Sequence, residues 1–209
     1  MTRFLMITDT HLGADPMGFF QQAPYPERFD ALIEALGMWI DQCGPVDFVL
    51  HAGDLLDFTC PVQIDRASES LASLGVPVHL ALGNHDLTTA GALKLWQAHA
   101  PHLIGGPGSA GDFTIRAGDL QIHTRVTQWC ETPNYWDEAL DPHLTPAQWD
   151  GLADAIQAAP AARHIIMTHS QVLPVGVDQT GLDRPLHDST DAYKASFAAF
   201  LARYPQIEA

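Results

Sequence analysis

Four short apolar runs, each followed at once by side chains that can bind a metal ion, constrain this chain more than any other feature. The runs cover residues 4–8, 47–52, 77–82 and 164–168. Continuous apolar runs of this length are typical of strands buried on both faces of a parallel sheet. The carboxyl ends of parallel strands lie at one edge, so the polar residues after the runs are expected to converge there. They are Asp9, His11, Asp54, Asp57, Asn84, His85, Asp86, Thr168 and His169.

Helical patterns separate the runs and predict an alternating α/β chain with a mainly parallel sheet. The expected helices cover about residues 26–42, 61–74 and 89–99, a fourth that Thr145 caps, and a last one at 190–203. Residues 112–126 predict an antiparallel hairpin. Two long aperiodic segments, 127–143 and 171–189, are expected to border the site as substrate-selecting loops. We therefore expect one domain over residues 1–209.

Composition narrows the classes of function. Ten basic residues against 25 acidic ones give a net charge of −15, which argues against an extended nucleic-acid surface. Asp9 follows Arg3 too soon for the apolar stretch of a signal peptide, and no later run approaches the ~20 apolar residues of a membrane span. The three cysteines are widely separated and are expected to be reduced. We expect a soluble cytoplasmic protein without a membrane partner.

The carboxylates of Asp54 and Asp57 need a positive partner, because they close a buried strand and no lysine or arginine follows until Arg66. Aspartate, asparagine and histidine without thiolate are ligands for Mn, Fe, Zn or a similar divalent ion. Gly53 and Gly83 permit a close approach of the backbone just before the clusters. Any single cluster is more often a turn or a helix cap, and Asp57 could cap the helix near Pro61. Four clusters in order predict a metal centre.

The series D-x-H, G-D-x-x-D, G-N-H-D and a later lone histidine resembles the calcineurin-like metallophosphoesterases over nearly the whole chain. The resemblance implies a four-layer α/β/β/α sandwich with mixed sheets and hydrolysis of phosphoesters with two divalent metal ions. The opening FLMITDTHLG is similar both to the cyclic-nucleotide phosphodiesterase-like branch, which we favour, and to the repair-nuclease-like branch. A small-molecule phosphoester, with nucleotides among the candidates, is then the expected substrate.

The same resemblance implies a role for each matching residue. Asp9 and His11 are expected to bind the first ion, Asn84 and His169 the second, and Asp54 both. His85 resembles the general acid that protonates the leaving oxygen. Asp57 is expected to orient His85 or a ligand, because an imidazole needs a partner that fixes its tautomer. Independently of the resemblance, Arg184 and His187 lie in the second aperiodic segment and are candidates to bind the phosphate.

The chain departs from the family at its end, where no G-H-x-H motif follows the last helix. Residues 205–209 are expected to start toward another strand. The chain is therefore expected to be a shortened version of a longer product, or a variant whose missing strand a neighbouring chain supplies, with incomplete coordination and low activity. A diester is favoured over a monoester because Phe58 follows Asp57 where the phosphoprotein-phosphatase branch places an arginine. The alternatives are a non-catalytic binding or scaffold protein, and a phosphomonoesterase or nuclease of the same family. The oligomeric state is not predicted.

Several other side chains are ambiguous in the sequence. His51, His79 and His164 lie inside apolar runs or at their far end, and packing or surface roles are expected for them. Trp129, Tyr135 and Trp136 lie in the first aperiodic segment. They either line a substrate rim or anchor the segment, and the sequence favours neither role.

Overall fold

The structure is a computed structural model that describes residues 2–14, 25–129, 135–136, 142–160, 162–172 and 190–207. Within these residues the strands are β1 Phe4–Ile7, β2 Phe48–His51, β3 Val78–Leu80, β4 Phe113–Ala117, β5 Leu120–Thr124 and β6 Arg163–Met167. The α-helices are α1 Tyr25–Cys43, α2 Pro61–Ala72, α3 Ala92–His99, α4 Pro146–Ala158 and α5 Asp191–Arg203. Two 3₁₀ turns cover His85–Leu87 and Pro101–Ile104.

The first sheet is parallel and has the order β1-β2-β3. Phe4 lies opposite Phe48, and Leu50 lies opposite His79. All four residues of β2 are buried, but Met6 in β1 is 58% exposed. The expectation that every run would be buried on both faces is therefore wrong for β1, in which no residue is fully buried.

The second sheet is mixed. The predicted hairpin is confirmed, since β4 and β5 pair antiparallel around Gly118, whose φ of 62° suits a tight turn. β6 pairs parallel with β5, so that Leu120 lies opposite Arg163. We expected β6 to join the first three strands in one sheet, and this expectation is wrong. A continuous apolar run indicates a buried strand but carries no information about its partner.

Four apolar clusters hold the described elements together. Helices α1 to α3 pack on one face of the first sheet, where Phe29, Ile64 and Trp96 meet Val49. The opposite face of β2 packs against the hairpin of the second sheet. Residues of α4 and α5 pack against Ile166 of β6. The contacts run from helices to sheet to sheet to helices, and the four-layer count implied by the resemblance stays a prediction.

The helix ends follow local rules. Thr145 and Gln148 form the predicted capping box at the start of α4. Helix α3 begins at Ala92, three residues later than residue 89, because residues 85–87 form a 3₁₀ turn and Gly91 has a left-handed φ of 85°. After α5, Ile207 makes an isolated parallel bridge with His164, as expected of a segment that turns toward a strand.

The cysteines and the helices bear on two further expectations, reduced thiols and the lack of a membrane span. Cys43 and Cys60 are free thiols, and Cys130 lies outside the described residues. Among the helices that the structure describes, none combines the length and apolar character that a membrane crossing requires.

Candidate metal centre

Backbone hydrogen bonds join the loops that follow β1 and β2. The N–H of Asp9 donates to the C=O of Gly53 at 3.0 Å. The N–H of His11 donates to the C=O of Asp54 at 3.0 Å. The parallel pairing of the strands is thus continued into the loops, which brings Asp9, His11 and Asp54 to one place.

These three residues have an unusual backbone conformation. Asp9, His11 and Asp54 have φ values of 54°, 44° and 52°, and they are the residues other than glycine with positive φ in the described part of the chain. The left-handed region is unfavourable for residues with a Cβ, and it persists only where the surroundings enforce it. Such strain gathers at functional sites, so the backbone by itself singles out three of the predicted ligands.

The side chains of these loops meet His169 from the second sheet. His11 Nε2 lies 3.8 Å from Asp9 Oδ1 and 3.6 Å from Asp54 Oδ2. His169 Nε2 lies 3.2 Å from Asp54 Oδ2. Ligand atoms bound at 2.0–2.2 Å to one ion are separated by about 3–4 Å. The observed separations therefore fit a divalent cation.

Gly53 allows His169 to come this close. His169 Nδ1 lies 3.0 Å from the C=O of Ala52, to which a protonated Nδ1 donates. That hydrogen bond turns Nε2 toward Asp54. A Cβ at position 53 would lie 2.4 Å from His169 Nδ1. The missing side chain of Gly53 is thus a condition for the position of His169.

The segment from Gly83 to His85 lies against the other oxygen of Asp54. The N–H of His85 donates to Asp54 Oδ1 at 2.9 Å. A Cβ on Gly83 would lie 2.2 Å from the same oxygen. Asn84 stands between these two residues, and so follows the third run directly beside Asp54. The two carboxylate oxygens of Asp54 consequently face different groups, Oδ1 toward residues 83–85 and Oδ2 toward His11 and His169.

Asp57 contacts two imidazole rings. Its Oδ1 lies 3.3 Å from His11 Nδ1 and 3.3 Å from His85 Nδ1. His85 Nδ1 also lies 2.9 Å from the backbone C=O of Asp57. A C=O can only accept, so Nδ1 of His85 carries the proton in this contact. The alternative role of Asp57 as a helix cap is not observed, since the N-cap of α2 is Cys60 without a side-chain hydrogen bond.

The carboxylates of Asp9 and Asp54 concentrate negative charge in the cluster and favour a positively charged partner. Burial raises the pKa of Asp9, but hydrogen bonds from His11 and Thr8 lower it to about 2. Burial disfavours protonation of His169, but the hydrogen bond and charge of Asp54 raise its pKa to about 9. The carboxylate of Asp54 thus stabilises the protonated, positively charged form of His169. A divalent cation would supply this positive charge instead, and the histidines would then bind it in their neutral form.

Two sets of side chains can each offer three ligand atoms within 4.8 Å of one another. The first contains Asp9, His11 and Asp54, and the second contains His11, Asp57 and His85. Nε2 of His11 faces the first set, and all three members of that set are among the predicted ligands. In the second set, Asp57 holds Nδ1 of both histidines, which is the arrangement of a carboxylate that orients a ligand.

Two buried residues lie near the cluster: His51, for which a packing or surface role was expected, and Asp86, whose contacts the sequence did not indicate. His51 is fully buried, and its Nε2 lies 3.0 Å from Thr10 Oγ1. Burial lowers the pKa of His51 to about 3, so it is neutral there. Asp86 is fully buried and accepts from the N–H groups of Gly83 and Leu56 at 2.9 and 3.0 Å. Burial and the charge of Asp54 raise the pKa of Asp86 to about 7, against those two hydrogen bonds.

The remaining predicted residues fall into two groups. Arg184 and His187 lie outside the described residues, as does most of the segment 171–189.

Trp129 is buried in the main core, whereas Trp136 lies with its ring centroid 5.0 Å from that of His85. The backbone N–H of Trp136 donates to the backbone C=O of Leu87 at 2.9 Å. Trp136 therefore both anchors its segment and lies beside the site.

His79 and His164 lie away from the cluster, as expected. His79 has ring contacts with Phe48 and Phe113. His164 Nε2 is 3.0 Å from the C=O of Ala159 and therefore donates to it. His164 Nδ1 can then accept from His123 Nε2 at 2.9 Å. These two buried imidazoles form a hydrogen-bonded pair between β5 and β6.

The family of the chain follows from its sequence over most of its length. Residues 2–173 match the family model of the calcineurin-like phosphoesterases. This match covers far more than half of the 209 residues. The chain belongs to the calcineurin-like phosphoesterase family, which is a family of hydrolases.

Individual relatives are distant. A probable cyclic nucleotide phosphodiesterase of Rhodopseudomonas palustris is 27% identical over 165 residues, which are 79% of this chain and 55% of that protein. The chain thus spans about half the length of the curated relative it matches. A purple acid phosphatase from seeds of yellow lupin, Lupinus luteus, has a TM-score of 0.51 and 15% identity, over 82% of this chain and 31% of that one. The latter likeness shows the fold alone.

Proposed function

We propose that this protein hydrolyses phosphodiesters with the help of two divalent metal ions held around Asp54. The observation that carries the proposal is the position of Asp54, whose Oδ1 faces residues 83–85 and whose Oδ2 faces His11 and His169. Oδ2 of Asp54 thus lies between an imidazole of each proposed ligand pair, His11 of the first and His169 of the second, as expected of a carboxylate shared by two ions. In two-metal sites such ions lie about 3.5–4 Å apart.

Each side chain has a separate task in this proposal. Asp9 and His11 hold one ion, Asn84 and His169 hold the other, and Asp54 contacts both. When bound, the ions acidify water and neutralise charge on the phosphate. Asp57 keeps the Nδ1 proton of His11 in place, so that the Nε2 lone pair of His11 points toward Asp9 and Asp54.

His85 is the proposed general acid. Its Nδ1 donates to the C=O of Asp57, which leaves Nε2 as the nitrogen that exchanges a proton with the leaving oxygen. The ring of His85 meets that of His11 edge to face, with centroids 4.7 Å apart. This contact holds the acid next to the ions without making it a ligand.

The preference for diesters rests on two observations. Phe58 follows Asp57 and is 56% exposed, at the place where the resemblance implies an arginine in the phosphoprotein-phosphatase branch. The relative from Rhodopseudomonas palustris is named a probable cyclic nucleotide phosphodiesterase. A cyclic nucleotide or another small nucleotide diester is therefore the first substrate to test. Arg184 and His187 stay candidates for contacts with its phosphate.

The proposal is tested by measuring metal content and hydrolysis of bis(p-nitrophenyl) phosphate with added Mn²⁺. Asp54→Asn is expected to lose metal. His85→Ala is expected to keep its metal while its turnover falls by about 10² to 10⁴-fold on a diester with a poor leaving group. Asp150→Asn, at an exposed position of α4, is the control for loss of a surface carboxylate. A wild-type protein that binds no metal and cleaves no diester would favour the non-catalytic alternative.

A further inference from the structure

The carboxylate of Asp86 connects the two loops that carry the proposed bridging and second-ion ligands. Asp86 Oδ1 accepts from the N–H of Leu56 at 3.0 Å. Asp86 Oδ2 accepts from the N–H of Gly83 at 2.9 Å and from that of Leu55 at 3.4 Å. Leu55 and Leu56 separate Asp54 from Asp57, and Gly83 directly precedes Asn84. One side chain thus fixes the distance between these two loops.

The other end of Asp86 is fixed to the core. Its backbone C=O accepts from the indole N–H of Trp96 at 2.8 Å, and both residues are fully buried. Trp96 belongs to α3 and packs in the main apolar cluster. The position of the carboxylate is therefore set by a rigid helix rather than by the loops that it connects. A site held in this way keeps its geometry when the loops alone would relax.

The chemistry of the contact requires an acid at this position. Three backbone N–H groups point at two oxygens, and both oxygens must therefore accept. An asparagine offers one acceptor oxygen and replaces the other with an NH₂ group, which would face a donor. A glutamate has the right charge but places the carboxylate about one C–C bond farther from its own backbone, which is held by Trp96. Neither replacement reproduces the observed contacts.

We propose that Asp86 is a positioning residue that sets the separation between Asp54 and Asn84, and that occupancy of the two-ion site depends on it. Asp86 touches neither the ions nor the substrate in this proposal. It acts through the backbone on each side of the proposed ligands. The inference rests on the proposed function for the identity of these ligands, and metal binding tests it separately from turnover.

Asp112 provides a matched control. It is also a largely buried carboxylate, and its Oδ1 accepts from the N–H of Val126 at 2.7 Å and from Gln148 Nε2 at 3.2 Å. It lies in the loop before β4 and contacts none of the residues proposed as ligands. Asp112→Asn therefore removes the same charge and a similar hydrogen bond without altering the spacing of the metal loops.

The experiment compares Asp86→Asn and Asp112→Asn by thermal melting without metal, Mn²⁺ titration calorimetry and steady-state hydrolysis of bis(p-nitrophenyl) phosphate. Both variants are expected to melt at a lower temperature. Only Asp86→Asn is expected to lose Mn²⁺ affinity, by about 10 to 100-fold, as when a partner that orients metal ligands is removed. The kcat of Asp86→Asn should fall more than its KM rises. Asp86→Glu should restore little of the Mn²⁺ affinity and little of the kcat.

Three results would overturn the inference. Asp86→Asn could bind Mn²⁺ as tightly as the wild type, Asp112→Asn could lose equal affinity, or Asp86→Glu could restore full binding. If Asp86→Asn does not fold, Trp96→Phe tests the same point, because it removes the N–H that anchors the Asp86 backbone together with part of the buried indole ring. Unchanged Mn²⁺ affinity in that variant would also overturn the inference. A wild type that binds no Mn²⁺ would instead refute the proposed function.

Discussion

Gly53→Ala is expected to damage the candidate metal centre, because His169 already fills the space beside Gly53. A Cβ at position 53 would lie 2.4 Å from Nδ1, 2.7 Å from Cγ and 2.9 Å from Cβ of His169. Favourable contacts between heavy atoms begin at about 3.5 Å, so the ring must move by about 1 Å. Rotation of the ring cannot relieve the clash, since the Cβ of His169 is itself too close.

The magnitude follows from two contributions. Gly53 has a φ of 112°, and holding an alanine in such a conformation costs about 1–3 kcal/mol. Displacement of His169 also removes its hydrogen bond to Ala52, which contributes about 1 kcal/mol. The free energy of unfolding should therefore fall by about 2–4 kcal/mol. Mn²⁺ affinity should fall by at least about 10-fold, because His169 moves away from Asp54.

Urea unfolding and Mn²⁺ titration of Gly53→Ala measure both effects. Gly37→Ala is the matched control, since Gly37 lies in α1 with no neighbouring atom within 4 Å of an added Cβ. It should gain about 0.5–1 kcal/mol of stability. A double-mutant cycle with His169→Ala separates the clash with the imidazole ring from the backbone strain and from the remaining contact with the Cβ of residue 169. The clash with the ring is refuted if Gly53→Ala lowers the free energy of unfolding as much in the His169→Ala background as in the wild type. Full Mn²⁺ affinity in Gly53→Ala would also refute it.

Two further predictions concern other histidines. Asp57→Asn should lower turnover of a diester by about 10 to 100-fold, because His11 and His85 lose the carboxylate that orients them, and a steady-state assay with wild-type rates would contradict this. Burial, followed by the charge of Arg125, lowers the pKa of His123 to about 4, whereas an unfolded histidine has a pKa of about 6.5. The unfolded state then binds more protons between these values, so stability should fall by up to about 3 kcal/mol as pH drops from about 6.5 to about 4. Urea unfolding at several pH values should show a smaller fall in His123→Asn, and an equal fall would assign the effect to other groups.

Local patterns predicted most of the elements and the convergence of the residues that follow the strands. The hairpin around Gly118 and the capping box of Thr145 are confirmed because each depends on residues a few positions apart. The convergence of Asp9 and Asp54 followed from the shared edge of parallel strands. The roles proposed for Arg184 and His187 stay predictions, since both lie outside the described residues.

The amino-acid sequence by itself determined the kinds of elements and the residues that end each strand, because hydrophobic periodicity and capping act over a few neighbouring residues. Only the tertiary structure decided that β6 pairs with β5, since strand partners are chosen by packing between distant segments. The tertiary structure likewise decided that Asp57 contacts two imidazoles and that Asp86 connects two loops. Both depend on backbone groups and side chains about thirty or more positions away, whose direction no local pattern in the chain specifies.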